Sequence, residues 1–278
     1  MKKTGFISFC FFTVLAVSAQ TTKYDRSQEF CLMAGTAYYL GEINPYRHFG
    51  TDLKFSGGLA YRNNMSKRWT MKAGLLYGQV EASDAKSKDP WIVNRNLHFL
   101  NQFWEGSITW ELNYTDYQIG NKNHRISPYL FAGVGYFSMK PQSYWQGTLY
   151  ELQPLGTEGQ GMPGEPAKYK TNGLVIPYGV GLKVNLFSVF AVSFEWGFRK
   201  TWTDYFDDIS TTYASPNILE NENGKLAALI ADQSLVKSGP RGDNEGMQRG
   251  DPGRKDIYSF ALVSLNIRLN KPPNNCWK

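Results

Sequence analysis

The sequence predicts an all-β protein: an eight-stranded antiparallel transmembrane β-barrel with long extracellular loops and short periplasmic turns. Three observations carry this expectation. Apolar and polar residues alternate with a period of two in runs of about 9–13 residues, the length a tilted strand needs to cross a bilayer. Large aromatic and aliphatic residues hold one parity of each run, and glycines and charges hold the other. The connections between runs alternate between short and long. A soluble β-sandwich also alternates, but its strands are typically ~5–6 residues and its apolar face is enclosed.

The chain has 278 residues with 15% aromatic and only 19% charged content, against roughly 25% charged in an ordinary soluble domain. Lys2 and Lys3, the apolar run 6–16 and Val17-Ser18-Ala19 form a signal peptide over residues 1–19, leaving a mature barrel from 20 to 278. Beyond residue 20 no segment approaches the ~18–20 apolar residues of a spanning helix. The eight strands fall near 30–41, 52–62, 69–80, 103–114, 128–138, 176–186, 190–199 and 257–269. The clearest run places Phe190, Val192, Phe194, Trp196 and Phe198 opposite Ala191, Ser193, Glu195, Gly197 and Arg199. Pro177 cannot donate to a ladder, so it predicts a bulge or a strand start. Links after strands two, four and six are short, and those after one, three, five and seven are long. This places both termini in the periplasm and the protein in the outer membrane, its outer wall against lipid.

An eight-stranded barrel is just wide enough for its own side chains. The inward parity supplies Lys54, Arg62, Lys72, Lys183, Arg199 and Arg268 against Asp52, Glu105, Glu111 and Glu195. Buried charges must be paired, so these residues are expected to form an ion-pair plug inside a closed cylinder. The net charge of +6 is too diffuse for a nucleic-acid partner, and three histidines leave little for His-based catalysis. No Ser/His/Asp set, enzyme activity or cofactor is indicated.

The long loops carry Leu152-Gln153-Pro154-Leu155-Gly156-Thr157-Glu158-Gly159-Gln160-Gly161 and a second run from Phe198 to Thr211. Asp204, Asp207 and Asp208 are a weak metal candidate; capping of loop turns and ion pairs with Arg199 or Lys200 explain them better. The glycines at 156–161 follow no strand–helix junction, so they are no phosphate cradle. Residues 225–235 (KLAALIADQSL) suit a short amphipathic helix, and Arg-Gly-Asp at 241–243 and 249–251 reads as chance. Past Leu269 a proline-containing tail, 270–278, projects into the periplasm with Cys276 and Trp277. Cys31 and Cys276 are the mature cysteines. An internal disulfide, a bond from Cys276 to a partner, and free thiols all remain open.

The runs Tyr39-Leu40-Gly41-Glu42-Ile43-Asn44-Pro45, GGLAYR at 57–62, LQPLGTEGQG at 152–161 and FRKTWTDYFDDIST at 198–211 resemble the PorG-like outer-membrane barrels of the type IX secretion system. Such barrels occur in Gram-negative bacteria that secrete cargo and, in some lineages, glide. The resemblance implies a non-enzymatic barrel attached to a periplasmic ring built from a lipoprotein and a soluble partner. It carries over no catalytic residues. A stand-alone barrel with a structural or adhesive role is the alternative.

Overall fold

The computed structural model describes residues 26–44, 48–49, 53–121 and 123–271. The signal peptide, Asp52, Cys276 and Trp277 lie outside them. Eight strands close on themselves: β1 (Ser27–Leu40), β2 (Lys54–Asn64), β3 (Trp69–Ser83), β4 (His98–Asn113), β5 (Ile126–Trp145), β7 (Asn172–Asn185), β8 (Phe190–Thr201) and β9 (Ile257–Arg268). Each pairs antiparallel with its neighbours, and the ring is completed by β1 against β9 and β4 against β5. A ninth strand, β6 (Thr148–Glu151), folds back on the far end of β5 from Gln142 to Trp145. Its two-residue turn needs positive φ at both positions, and Gln146 (49°) and Gly147 (81°) supply it.

Burial follows the parity read from the sequence. In β4, Glu105, Thr109, Glu111 and Asn113 are buried while Trp104, Ile108, Trp110 and Leu112 are exposed. With Phe30, Leu32, Leu75, Leu130, Val180, Phe194 and Val263 they form an exposed apolar belt around the barrel. Water-soluble monomers rarely expose a continuous apolar surface beyond a few hundred Å². Among the described residues no helix is long and apolar enough to cross a membrane, so any crossing is made by strands.

Several strands outrun their sequence boundaries. β5 has 20 residues and β4 has 16, each longer than expected at the long-loop end. There Leu100, Gln142 and Ser143 are buried against folded loops, so both faces of the strand are covered and the two-residue alternation disappears. Pro177 is accommodated by neither a bulge nor a strand start. Ala132 pairs with Tyr178 and Gly135 with Val175 in unchanged register, with the ladder interrupted between them, where Pro177 has no N–H to give. On its other side Pro177 lies in the β7–β8 pairing opposite Arg199.

The inward glycines make room for rings. A Cβ on Gly181 would lie 2.2 Å from Tyr129 Cζ, and one on Gly197 2.4 Å from Phe131 Cζ. Short connections join β2–β3, β4–β5 and β7–β8 at one end, where the described termini also meet: Gln28 N–H donates to Asn270 Oδ1 at 3.1 Å. The long connections gather at the other end and carry α1 (Pro90–Arg95), α2 (Pro216–Asn223) and α3 (Lys225–Ala231). The expected helix over 225–235 is therefore shorter, stopping before Asp232; Ala227, Ile230 and Ala231 are its buried face.

Candidate functional site

The lumen is filled in three layers. Its middle is an ion-pair network. Glu111, fully buried, accepts from Arg62 Nε at 3.0 Å and lies 2.6 Å from Lys183 Nζ and 3.7 Å from Lys72 Nζ. Arg62 spends its remaining donors on Ser193 Oγ (3.0 Å), Asn266 Oδ1 (2.9 Å) and Tyr129 Oη (3.2 Å). Glu195 takes Lys72 and lies 3.6 Å from Arg199, which reaches Glu105 at 3.4 Å. Tyr258 Oη donates to Glu105 at 2.9 Å. Of the ten charges assigned to the lumen nine are described, and seven of these converge, drawn from β2, β3, β4, β7 and β8.

Two do not. Lys54 sits at the rim of the barrel, about a third exposed, and pairs with Glu81 at 2.6 Å. It is the first residue of β2, too close to the mouth for its parity to bury it. Arg268 is buried at the short-turn end but donates to the carbonyls of Ile119 (3.0 Å) and Asn270 (3.1 Å). Sequence reasoning missed Glu29, which is fully buried and accepts from Asn64 Nδ2 at 2.6 Å. It shares the inward parity of Cys31, and starting the first strand at residue 30 hid it. Cys31 itself is buried and has no disulfide partner among the described residues, Cys276 lying outside them.

The short-turn end is closed by the β4–β5 connection, which folds inward. Tyr117 and Ile119 are fully buried there with Ala191. Lys183 Nζ lies 4.5 Å from the centre of the Tyr117 ring.

The long-loop end is closed by the Phe198–Thr211 motif. Past β8 the chain turns down into the mouth, and Phe206 is fully buried. Its ring stacks on Tyr258 (centroids 4.9 Å, 13°) and meets Phe103 and Phe137 edge-on at 5.2 and 5.9 Å. Phe206 N–H donates to Asp256 Oδ2 at 2.9 Å, and its carbonyl accepts from Asn101 Nδ2 at 2.6 Å. Tyr39 Oη bridges two carboxyls beside it, 2.6 Å from Asp207 Oδ2 and 2.5 Å from Asp256 Oδ1. Burial, with each acid beside other acids, raises both: Asp207 well above the carboxylate range and Asp256 to about 8.

The two long-loop motifs grip one another. Thr157 Oγ1 donates to Asp208 at 2.5 Å, and Glu158 accepts from Ser210 N (2.8 Å), Thr211 N (3.0 Å) and Thr211 Oγ1 (2.7 Å). Arg249, buried, sits 2.8 Å from Glu158 and 3.6 Å from Asp208. Burial lifts Asp208 to about 6 even with Arg249 beside it. Positive φ at Gly156, Gly159 and Gly161 shapes the turn that presents Thr157 and Glu158. Arg249 of the second Arg-Gly-Asp triplet is thereby unavailable to solvent.

The three aspartates do not assemble as a metal site. Asp204 accepts from Ser210 Oγ at 2.6 Å, Asp207 from Tyr39, and Asp208 from Thr157 and Tyr169. Among the described residues no group of three or more potential ligands is placed to hold an ion. The cation paired with Asp208 is Arg249 rather than Arg199 or Lys200, a contact across 41 residues that no local spacing signals. Ser143 and His98 meet unexpectedly, with Oγ 3.2 Å from Nε2. That nitrogen already accepts Tyr144 N–H at 3.1 Å, and the hydroxyl donates to the His98 carbonyl at 2.9 Å. This assigns His98 the part of a strand-end cap. Between the loops a cavity of about 300 Å³ is lined by Glu158, Met162, Tyr213, Ile218 and Glu245.

Comparison with solved structures returns small outer-membrane proteins. Neisserial surface protein A is 7% identical, over 88% of this chain and 99% of its own, with a TM-score of 0.42. Ail of Yersinia pestis is 12% identical over 88% and 98% (TM-score 0.39), and OprG of Pseudomonas aeruginosa is 10% identical over 89% and 99% (TM-score 0.37). No curated protein matches the sequence. A family model described as a domain of unknown function, DUF6089, matches residues 8–225, well over half of the chain, and the protein belongs to that family.

Proposed function

We propose that this protein is an outer-membrane barrel that serves the type IX secretion machinery as an anchor, holding a periplasmic ring made of a lipoprotein and its soluble partner. One observation supports a positional role over transport: the lumen is ion-paired through its middle and stoppered by side chains at both ends. In this reading the apolar belt contacts lipid, the short-turn end and both termini face the periplasm, and the long loops face outward. The ring contact then falls on the short connections and on residues 270–278, including Cys276 and Trp277. Met65, Tyr114 and Phe187 are exposed apolar side chains on three short connections at that end, with Lys67 and Arg68 on the β2–β3 turn, and offer docking points around its rim.

Deleting residues 270–278 tests the tail. The shortened chain is expected to insert normally, while ring subunits co-purify less and cargo secretion falls. Undiminished co-purification would move the contact to the turns, and loss of neither would remove the anchoring role. A second reading, a stand-alone barrel with a structural or adhesive role, is favoured by Trp91, Leu235 and Val236, which are exposed on the long loops. Trimming those loops would then alter surface binding and leave secretion intact.

A further inference from the structure

The stopper at the long-loop end is fastened by a contact that needs more protons than one phenol can supply. Tyr39 Oη approaches Asp207 Oδ2 at 2.6 Å and Asp256 Oδ1 at 2.5 Å, and all three residues are buried. Tyr39 has a single hydroxyl proton and can donate it to one oxygen only. The other close oxygen–oxygen contact must be bridged by a proton that a carboxyl group carries. The remaining oxygens are committed: Asp207 Oδ1 accepts from Ile209 N at 3.0 Å, and Asp256 Oδ2 from Phe206 N at 2.9 Å. The same carboxyls therefore hold the backbone on either side of the inserted ring.

We propose that Asp207, Tyr39 and Asp256 form a proton-dependent latch, and that loss of the shared proton releases the segment carrying Phe206 from the barrel mouth. The proton leaves to solvent. Two carboxylates then compete for one phenolic hydrogen, and the contact left without a bridge becomes repulsive.

The surroundings favour this response. Acids face the pair from two elements, Glu42 after β1 and Asp204 in the 202–256 connection, and these in turn lie near Asp251 in the same connection and Glu158 in the 152–171 connection. The opposing cations are Arg95 of α1 and Lys255. Arg95 is already held by Asp84 at 2.7 and 2.8 Å, and Lys255 donates to the Pro252 carbonyl at 2.8 Å. Burial pushes Glu42 up to about 7, beside Asp256 at about 8, so negative charge accumulates around the latch as pH rises. Withdrawal would bare Phe103, Phe137 and Tyr258 to the outside while the ionic layer and the Tyr117 closure stay in place. The latch is independent of what the other end of the barrel holds.

The test uses the full chain folded in phospholipid vesicles, with Cys276→Ser in every variant. Ile209→Cys reports on the latch, because Ile209 is 2% exposed and its N–H is bound by Asp207. Ser238→Cys, at an exposed position, gives the rate for an open thiol at the same pH. The readout is the ratio of their labelling rates with a soluble methanethiosulfonate. That ratio should rise about tenfold between about pH 6 and about pH 9.5. Asp256→Asn keeps the shape and supplies a permanent donor, so it should flatten the curve. Tyr39→Phe removes the bridge and should raise the ratio already near neutral pH. A flat ratio in the parent, an Asp256→Asn curve that follows it, or a Tyr39→Phe value equal to the parent's would each overturn the proposal.

Discussion

Replacing Glu111 by glutamine should be among the most damaging single changes in the barrel. The carboxylate sits at zero exposure among three cations: Arg62 at 3.0 Å, Lys183 at 2.6 Å and Lys72 at 3.7 Å. Glutamine keeps the shape, so the loss is electrostatic. Lys72 retains Glu195, and Arg62 retains Ser193, Asn266 and Tyr129. Lys183 keeps only neutral acceptors, Asn113 Oδ1 at 2.9 Å and Thr70 Oγ1 at 3.4 Å. Breaking a buried pair from one side costs about 3–5 kcal/mol, because the other charge stays buried without compensation. Equilibrium urea unfolding in vesicles, followed by the different gel mobilities of folded and unfolded barrel, measures it. Adding Lys183→Met should recover part of the loss, since the double variant removes the stranded charge as well. A cost below about 1 kcal/mol for Glu111→Gln would mean that the network is hydrated and screened, and the argument for a dry ionic layer would fail.

Phe206→Ala should open a cavity among Phe103, Phe137 and Tyr258 and cost about 3–5 kcal/mol at the long-loop end; protease sensitivity of the 202–256 segment should rise before the barrel itself melts. Glu158→Gln should loosen the grip between the two loop motifs by weakening its bonds to Ser210, Thr211 and Arg249, seen as faster nicking of either loop with unchanged barrel unfolding. The same grip should tighten in acid. Asp208 has a folded pKa of about 6, raised from roughly 3.9 in an open chain, so its contribution is complete below the lower value and is lost as pH climbs through the higher. Loop proteolysis with an acid-tolerant protease should therefore be slower near pH 4 than near pH 7, once corrected for intrinsic protease rate. Gly181→Ala should cost about 1–3 kcal/mol by driving a methyl into Tyr129, whereas Gly106→Ala, which meets nothing within 4 Å, should be nearly silent in the same unfolding assay.

The barrel was legible because strand period and solvent together write a repeating pattern. Wherever lipid lies on one side and lumen on the other, the residues of inward parity, Arg62, Lys72, Glu105, Glu111, Lys183, Glu195 and Arg199, are buried. The pattern fades where that two-solvent condition ends. Lys54 escapes at the rim, Glu29 precedes the first clear alternation, and β5 continues past its readable part because loops cover both its faces. The loop architecture was not legible for a different reason. Phe206 follows Trp202 and Tyr205 in an acidic run with no pattern to single it out, and its partners lie on β1, β4, β5 and β9. Glu158 finds Arg249 across 91 residues. No periodicity encodes such contacts, although the two motifs that carry them were conspicuous in the sequence.

The double closure has a consequence for the cell that carries this protein. A membrane excludes small solutes only as well as its leakiest component, and open pores set that limit. A cylinder blocked by Tyr117 at one mouth and Phe206 at the other adds nothing to the leak. A membrane can therefore hold many copies of it without gaining a route for small solutes through their interiors.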